Sequence, residues 1–429
     1  MRALAARWLS GDERTLGLLL AVGVLTMAFF RLDRLREIVG VAPAPALALV
    51  LVLVAAALAW WSMLPRGFVW LEPAVLTWRD FGAVDRERIV ARRLAGGWLA
   101  RLLALGYLLA VSAGVTGLSR DWVLAGAAVL LATGLLALGA ARRARRDARI
   151  EVAVVCVLAA AAVTLRPGPV GLTAAAAVLV VPAVPLLARS GSITRPQVAR
   201  AGRDDLVRGW RDRVLRVVGV QFLDVAMLLP AARPVRAWTL RRPTGLRLAW
   251  VGVAARARHV PTGALLALTA VAAHPALPAL PDELVFALLG YLALVPLAGG
   301  LGELWRSPGR RRWVGASDTA LRAAHLLVLT GCAVAWALPV FALGAWDATV
   351  LLTVPLAAAC AVRTVTGDAP TYDNLAPVDT PMGSMPLRLI AQTLRGPDLG
   401  LVALLFVPVL PTPAGAAVVA AAVAVAVLR

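Results

Sequence analysis

The sequence contains no lysine; all 44 of its Lys/Arg positions are arginine. That excludes a phosphate-binding loop of the GxxxxGK type and any Schiff base formed on a lysine. If ATP drives this chain, the nucleotide site belongs to another subunit. Other reactive side chains are scarce, with three cysteines, three histidines and three tyrosines in 429 residues. Cys156, Cys332 and Cys360 all fall within apolar runs, which argues for core packing and against a structural disulfide or a zinc site of paired thiols. His274 and His325 stand alone near the ends of apolar runs, where packing or an interfacial position accounts for them better than catalysis. No residue pattern calls for a cofactor or a metal.

What the chain has in abundance is apolar. Hydrophobic residues make up 60% of it and the mean hydropathy is +0.80, too apolar for a soluble protein of this length. A helix needs about 20 residues to cross the hydrocarbon core. Apolar runs lie near residues 15–30, 41–62, 98–117, 121–141, 150–165 and 169–188, and again near 261–280, 283–303, 323–343, 347–362, 398–413 and 414–428. The pattern predicts an all-α polytopic integral membrane protein of about 12 transmembrane helices. The first run follows Arg2, Arg7 and Arg14 in the manner of a secretory leader, yet no small-residue cleavage site precedes the charged stretch 31–37. It reads as a retained first span.

Arginine retention on the cytoplasmic side orients multi-span chains. With the N-terminus inside, 38 of the 44 arginines fall on inner segments, and the outer loops hold three, one, one and then none. Arg101 is left over, near the inner end of the third span, where its stem can snorkel to the headgroups. The net charge of +20 is therefore mostly topogenic, and a nucleic-acid partner is not expected. Both termini are expected in the cytoplasm and the chain in the plasma membrane, among membrane lipids. Trp60, Trp61, Trp98, Trp122, Trp305 and Trp346 fall near span boundaries, as interfacial anchors would.

The longest break between spans divides the chain into a first six-span half (1–188), an arginine-rich cytoplasmic insert (189–260) and a second six-span half (261–429). Two echoes relate the halves. Gly82-Ala83-Val84-Asp85 follows the second span and Gly315-Ala316-Ser317-Asp318 the eighth, while Ala5-Ala6-Arg7 matches Ala254-Ala255-Arg256 before spans one and seven. Duplicated halves are common in transporters, with the substrate path between them. Within the insert, residues 203–216 predict a charged surface helix. Residues 217–229, with Gln221 and Asp224 on one face and Pro230 as a stop, predict an amphipathic helix, lying either in the inner headgroup region or across the ends of the spans.

The segment 64–94 is long and patterned: Glu72-Pro73 opens a helix, followed by Trp78-Arg79-Asp80, Asp85-Arg86-Glu87-Arg88 and Arg92-Arg93. It is either a solvated topogenic loop or a rigid elbow that docks a cytoplasmic partner. In the later segment 370–397, turn formers predict a shaped loop, with Pro386 opening a short helix to Leu394.

Residues 71–94, their counterpart at 310–322, Asp379-Thr380-Pro381-Met382-Gly383 and Leu394-Arg395-Gly396-Pro397-Asp398 together resemble an uncharacterised family of multi-span proteins from high-GC bacteria. That family is similar to permease subunits of type-2 ABC exporters. The resemblance implies a separate ATP-binding cassette ATPase as partner, no catalytic residues in this chain, and a coupling helix between the second and third spans of each half. Gly82, Asp85, Arg86, Gly315 and Asp318 occupy those positions. The second loop is shorter and lacks the Asp-Arg-Glu-Arg cluster, so equal contacts from the two halves are not implied.

Two other classes fit less well. A secondary transporter of the major facilitator type shares the six-plus-six plan, and its loop signature is similar to Gly82-x-x-Asp85-Arg86, but the spacing is one residue short and the second glycine is missing. Such carriers place ionisable groups deep in the membrane, at about 2.5–3.5 kcal/mol each. Here Glu151 and Glu303 lie at span ends. A lipid-linked glycosyltransferase would use Asp33 or Glu37 in the first outer loop, but it would also need larger outer segments than these.

Overall fold

The computed structural model describes residues 30–39, 45–63, 70–80, 86–143, 168–189, 202–221, 225–233, 244–276, 280–343, 347–367, 378–380, 383–385 and 394–428, with isolated residues 23, 26, 27, 197 and 235. Most of the run 15–30, the whole of 150–165 with Glu151 and Cys156, and Gly82, Asp85, Asp224 and Trp346 lie outside the described residues.

The described chain is helical apart from one small hairpin. The first half contains α1 (Leu32–Val39), α2 (Pro45–Met63), α3 (Pro73–Asp80), α4 (Arg86–Thr116), α5 (Arg120–Arg142) and α6 (Pro169–Arg189). The middle contributes α7 (Arg203–Gln221), α8 (Val225–Leu228) and α9 (Gly245–Ala254). The second half contains α10 (Val260–Ala276), α11 (Asp282–Trp305), α12 (Pro308–Val314), α13 (Asp318–Leu343), α14 (Thr353–Val365), α15 (Pro397–Phe406) and α16 (Thr412–Leu428). Five of these, α2, α3, α6, α12 and α15, start on proline. At the first helical position its missing N–H costs nothing and its fixed φ already suits the helix.

Helices α4, α5, α6, α11 and α13 are long and apolar enough to cross a membrane. Their outer faces agree: Leu103 on α4, Leu124 on α5, Val181 on α6 and Leu338 on α13 are each at least 62% exposed. Apolar side chains turned outward along whole helices need lipid as their solvent, which marks a membrane-inserted chain.

Two bundles form around different central helices. In the first, α5 packs on α2, α4 and α6 through glycines. A Cβ at Gly126 would lie 2.9 Å from Val52 of α2, one at Gly134 2.6 Å from Leu102 of α4, and one at Gly139 3.1 Å from Leu186 of α6. Small residues permit this approach, and dispersion across the close contact replaces the hydrophobic driving force that lipid removes. In the second, the Ala-rich α14 is buried on almost every side among α11, α13, α15 and α16. The bundles meet where α10 packs along α2, and Leu265 and Leu268 of α10 join the first bundle's core.

Several expected boundaries moved. The third apolar run begins its helix at Arg86, so the charged front of the span is helical too. Residues 203–216 and 217 onward form one continuous helix to Gln221, not two, and the Val217-Val218 pair carries no turn signal. The run 398–413 gives the ten-residue α15, since Pro408, Pro411 and Pro413 each remove a backbone donor, and α16 then starts at Thr412. Trp60 and Trp98, expected as interfacial anchors, face the protein instead: Trp60 is fully buried and Trp98 Nε1 donates to Gly134 O at 2.9 Å. The all-helical expectation also meets a hairpin at Val378–Thr380 and Gly383–Met385, paired Val378 to Met385 and Thr380 to Gly383. The Asp-Thr-Pro-Met-Gly motif contributes Asp379 and Thr380 to the first strand and Gly383 to the second. The helix expected at 386–394 lies outside the described residues up to 393.

Candidate functional site

Two elbows stand before long membrane-type helices, and they share an element order and a sequence pattern. In the first, the main chain passes Trp70, enters α3 at Pro73 and continues to α4. In the second it passes Trp305, enters α12 at Pro308 and continues to α13. Each tryptophan lies three residues before the proline, and Trp78 and Trp313 lie five residues after it. The shared pattern is thus W-x2-P-x4-W, followed by G-A-x-D. The tryptophan and proline spacing extends the four-residue G-A-x-D match to the whole elbow in the sequence.

Arginines hold both elbows through the indole faces. The guanidinium of Arg93 sits 3.9 Å from the Trp70 ring centroid and that of Arg213, from α7, 4.8 Å away. Arg93 Nη1 also donates to the Trp70 carbonyl at 2.6 Å. In the second elbow, Arg311 and Arg322 each lie 4.5 Å from the Trp305 centroid. A cation over an indole face gains about 0.5–1 kcal/mol when exposed and about 2 when desolvated.

The elbows differ in cover. Helix α7 lies against the first: Leu71 N–H donates to Leu206 O at 3.3 Å, Arg203 Nη2 donates to Thr77 Oγ1 at 2.9 Å, and Leu71, Leu76, Val90 and Leu206 are buried. The second elbow supplies its own brace. Gly315 ends α12 in the left-handed region (φ 69°), Ser317 Oγ accepts from Ala320 N–H, and Asp318 Oδ1 lies 3.3 Å from Arg311 Nε. Asp318 therefore ties α12 to the first turn of α13, where a carboxylate also suits the helix dipole. Trp313 is 92% exposed.

Of the five residues expected to couple, Gly315 and Asp318 thus sit together in one turn. Arg86 opens α4, while Gly82 and Asp85 lie outside the described residues. Asp33 and Glu37 lie exposed on the short α1. His325 is buried with Nδ1 2.8 Å from Leu321 O, and His274 Nδ1 lies 2.9 Å from Asp282 Oδ1. Among the described residues no group of three or more His, Cys, Asp or Glu is placed to hold a metal ion.

No protein family, curated protein or solved structure matches the chain.

The Leu-Arg-Gly-Pro-Asp motif has a local physical reason. At Gly396 (φ 110°) a Cβ would fall 1.9 Å from Thr364 Oγ1 and 2.8 Å from Cys360 O, so only glycine passes α14 at this distance. Pro397 then starts α15. Asp398 Oδ1 accepts the N–H groups of Gly396 and Leu399, both at 2.7 Å, and Oδ2 lies 3.0 Å from Arg363 Nη2 on α14. The motif docks α15 on α14.

A further feature has little trace in the sequence. Helices α9 and α10 are separated by a break at Ala255 and Arg256 and a 3-10 turn over Ala257–His259. At the break Arg256 is 1% exposed. Its Nε donates to Pro230 O, its Nη1 to Gly252 O, both at 3.0 Å, and its Nη2 to Glu303. Gly299 and Gly300 of α11 make the room, since a Cβ on Gly299 would lie 2.7 Å from Arg256 Nε. An isolated arginine after two alanines gave little warning of burial; the Gly-Gly pair one turn before Glu303 was the available signal.

Proposed function

We propose that the chain is the permease component of an ABC-type exporter in the plasma membrane. In this reading about twelve spans form two related six-span halves, both termini are cytoplasmic, and a separate ATP-binding cassette ATPase supplies the energy. The cargo is an amphiphile, in keeping with apolar spans. The observation that carries the proposal is the recurrence of the braced elbow, W-x2-P-x4-W with G-A-x-D, before a long helix in each half. A short helix fixed at one end to a long one is a lever: displacement by a partner rotates the long helix instead of being absorbed by a loose loop. Gly82, Asp85, Arg86, Gly315 and Asp318 shape the lever, and the exposed surface around Trp313 offers it to the partner.

Affinity purification of the full chain from its native membrane should recover a P-loop ATPase, and Asp85→Arg or Asp318→Arg should lower that recovery at least tenfold. Recovery of the chain without any ATPase from gently solubilised membranes, or transport by the purified chain alone on an ion gradient, overturns the proposal.

One observation favours a second reading, a secondary carrier of the major facilitator kind. The Arg256–Glu303 pair sits at the break between α9 and α10, and discontinuous helices with ionisable groups mark coupling-ion sites in such carriers. Transport that persists without ATP and is lost in Glu303→Gln would select it.

A further inference from the structure

Between α9, α10, α11 and α13 lies a cavity of about 640 Å³. That is within the range of sites that take a whole small molecule. Along α13 its lining runs from Cys332 to Leu343 and along α10 from Val260 to Val271, about 17 Å on each at the helical rise, so the cavity is a slot. Helix α11 contributes Ala293, Leu294 and Leu297, which lie at the middle of its membrane-type span (Asp282–Trp305). At that depth a bilayer is hydrocarbon. Val260 on α10 and Ala335, Pro339 and Leu343 on α13 line the slot and are exposed, so it opens sideways onto the lipid-type surface.

Among the described residues the wall holds no charged side chain and no hydroxyl, amide or carboxylate group. The Trp336 indole in it is held from three sides. Its Nε1 donates to Gly263 O of α10 at 2.9 Å, and the Phe286 ring of α11 meets it edge-on with 5.1 Å between centroids. Helix α11 also makes room at Gly290, where a Cβ would lie 3.2 Å from the indole. With its one N–H committed to the backbone, this indole offers the slot only apolar surface. Water in the slot would lack the two to four polar partners that hold a buried water. An empty slot would forfeit dispersion contacts along its length.

We infer that the slot seats a single uncharged hydrocarbon chain, taken sideways from the bilayer between α10 and α13. The walls recognise apolar surface and length, and a charged or hydrogen-bonding headgroup finds no partner inside and stays at the opening. The chain comes from lipid, so removal from water does not drive its entry. The gain is close packing against a wall whose indole is already fixed, which spares the protein most of the ordering cost. As the seat of the cargo's apolar part the slot rests on the permease reading. Labelling of the slot needs no ATPase, so a filled slot in a chain without an ATPase removes the permease and leaves the site, and an ATPase partner with an unlabelled slot does the reverse.

The probe is hexadecane bearing a photoreactive diazirine, added to the full chain in nanodiscs of zwitterionic lipid, with the same diazirine on triethylene glycol as a polar control. Label at Leu294 and Val340, which line the slot and are at most 2% exposed, should saturate as probe is added. Label at Leu103 and Leu124, on the lipid-type surface of the first bundle, should instead rise in proportion to the probe. The polar control should label the slot at least fivefold less. Ala335→Trp, which fills the slot from an exposed position on α13, should lower the saturable label at least fivefold and leave Leu124 unchanged. If that variant does not fold, Ala264→Phe fills the slot from α10 and should do the same. Proportional label or none at Leu294 and Val340, equal label from the polar control, or saturable label retained in the filled variant overturns the inference.

Discussion

The two elbows share a plan and differ in what holds them. Both place a tryptophan three residues before a helix-starting proline and a second one five residues after it. Around Trp70, however, one of the two arginines comes from α7, some 140 residues along the chain, and buried leucines seal α3 beneath that helix. Around Trp305 one arginine comes from α12 and the other from α13, so the elbow is closed by short-range contacts and left bare outside. A repeated unit can thus keep its sequence pattern while its surroundings assign it different work. The first elbow is bound to the middle segment, and the second meets no such helix among the described residues.

The strongest way to break this contrast is at Leu206. It is fully buried between α7 and the first elbow, and no equivalent covers the second among the described residues. Leu206→Ala should cost about 2–5 kcal/mol from lost transfer and the cavity left behind. Thermal unfolding in detergent, with proteolysis at the arginines of α7, reports both the loss and its place. An unchanged melting temperature with α7 still protected would mean that the cover is not energetically real.

Next comes the indole clamp. Trp70→Ala and Trp305→Ala each remove two cation contacts, worth about 1–4 kcal/mol together. Double-mutant cycles sharpen the comparison. The Trp305–Arg311 pair should couple by about 0.5–1 kcal/mol, and the Trp70–Arg213 pair by a similar amount only while α7 is docked. If the second coupling survives Leu206→Ala at full strength, Arg213 reaches Trp70 without help from the leucine contacts.

A smaller effect tests the turn itself. Gly315→Ala places a side chain at φ 69° and should cost about 1 kcal/mol. Gly82→Ala should cost the same if the first elbow closes through the same left-handed residue. A neutral Gly82→Ala would show that the shared G-A-x-D pattern serves two different turns.

Legibility in the sequence followed the range of the interactions. Long apolar runs gave α5, α6, α11 and α13 to within a few residues at most ends, because burial in lipid depends on composition along the run and little on neighbours. Prolines gave many starts. What escaped depends on contacts distant in sequence: Arg213 over Trp70, Arg256 beneath Gly299, and Trp60 buried instead of lying at a boundary. No periodicity or local propensity encodes which arginine of 44 will meet an indole. Of the candidate coupling residues, the Gly315–Asp318 turn was legible since capping and left-handed glycine are local, whereas the bare surface at Trp313 was not, because exposure is set by what fails to pack there.

That surface gives the subtlest prediction. Trp313 is 92% exposed, on a short helix that carries Arg310, Arg311 and Arg312 beside it. Nothing among the described residues rewards a large aromatic there, so Trp313→Ala should shift stability by no more than about 0.5 kcal/mol, as exposed substitutions do. In the permease reading the same change should lower ATPase recovery several-fold, since exposed tryptophans concentrate binding energy at interfaces. The equivalent Trp78→Ala, on the elbow that α7 already covers, should affect recovery less. If Trp78→Ala proves the more damaging, the covered elbow is the coupling element and α7 belongs to the contact; if Trp313→Ala lowers stability with no effect on recovery, the second elbow is held by its own tryptophan and faces no partner.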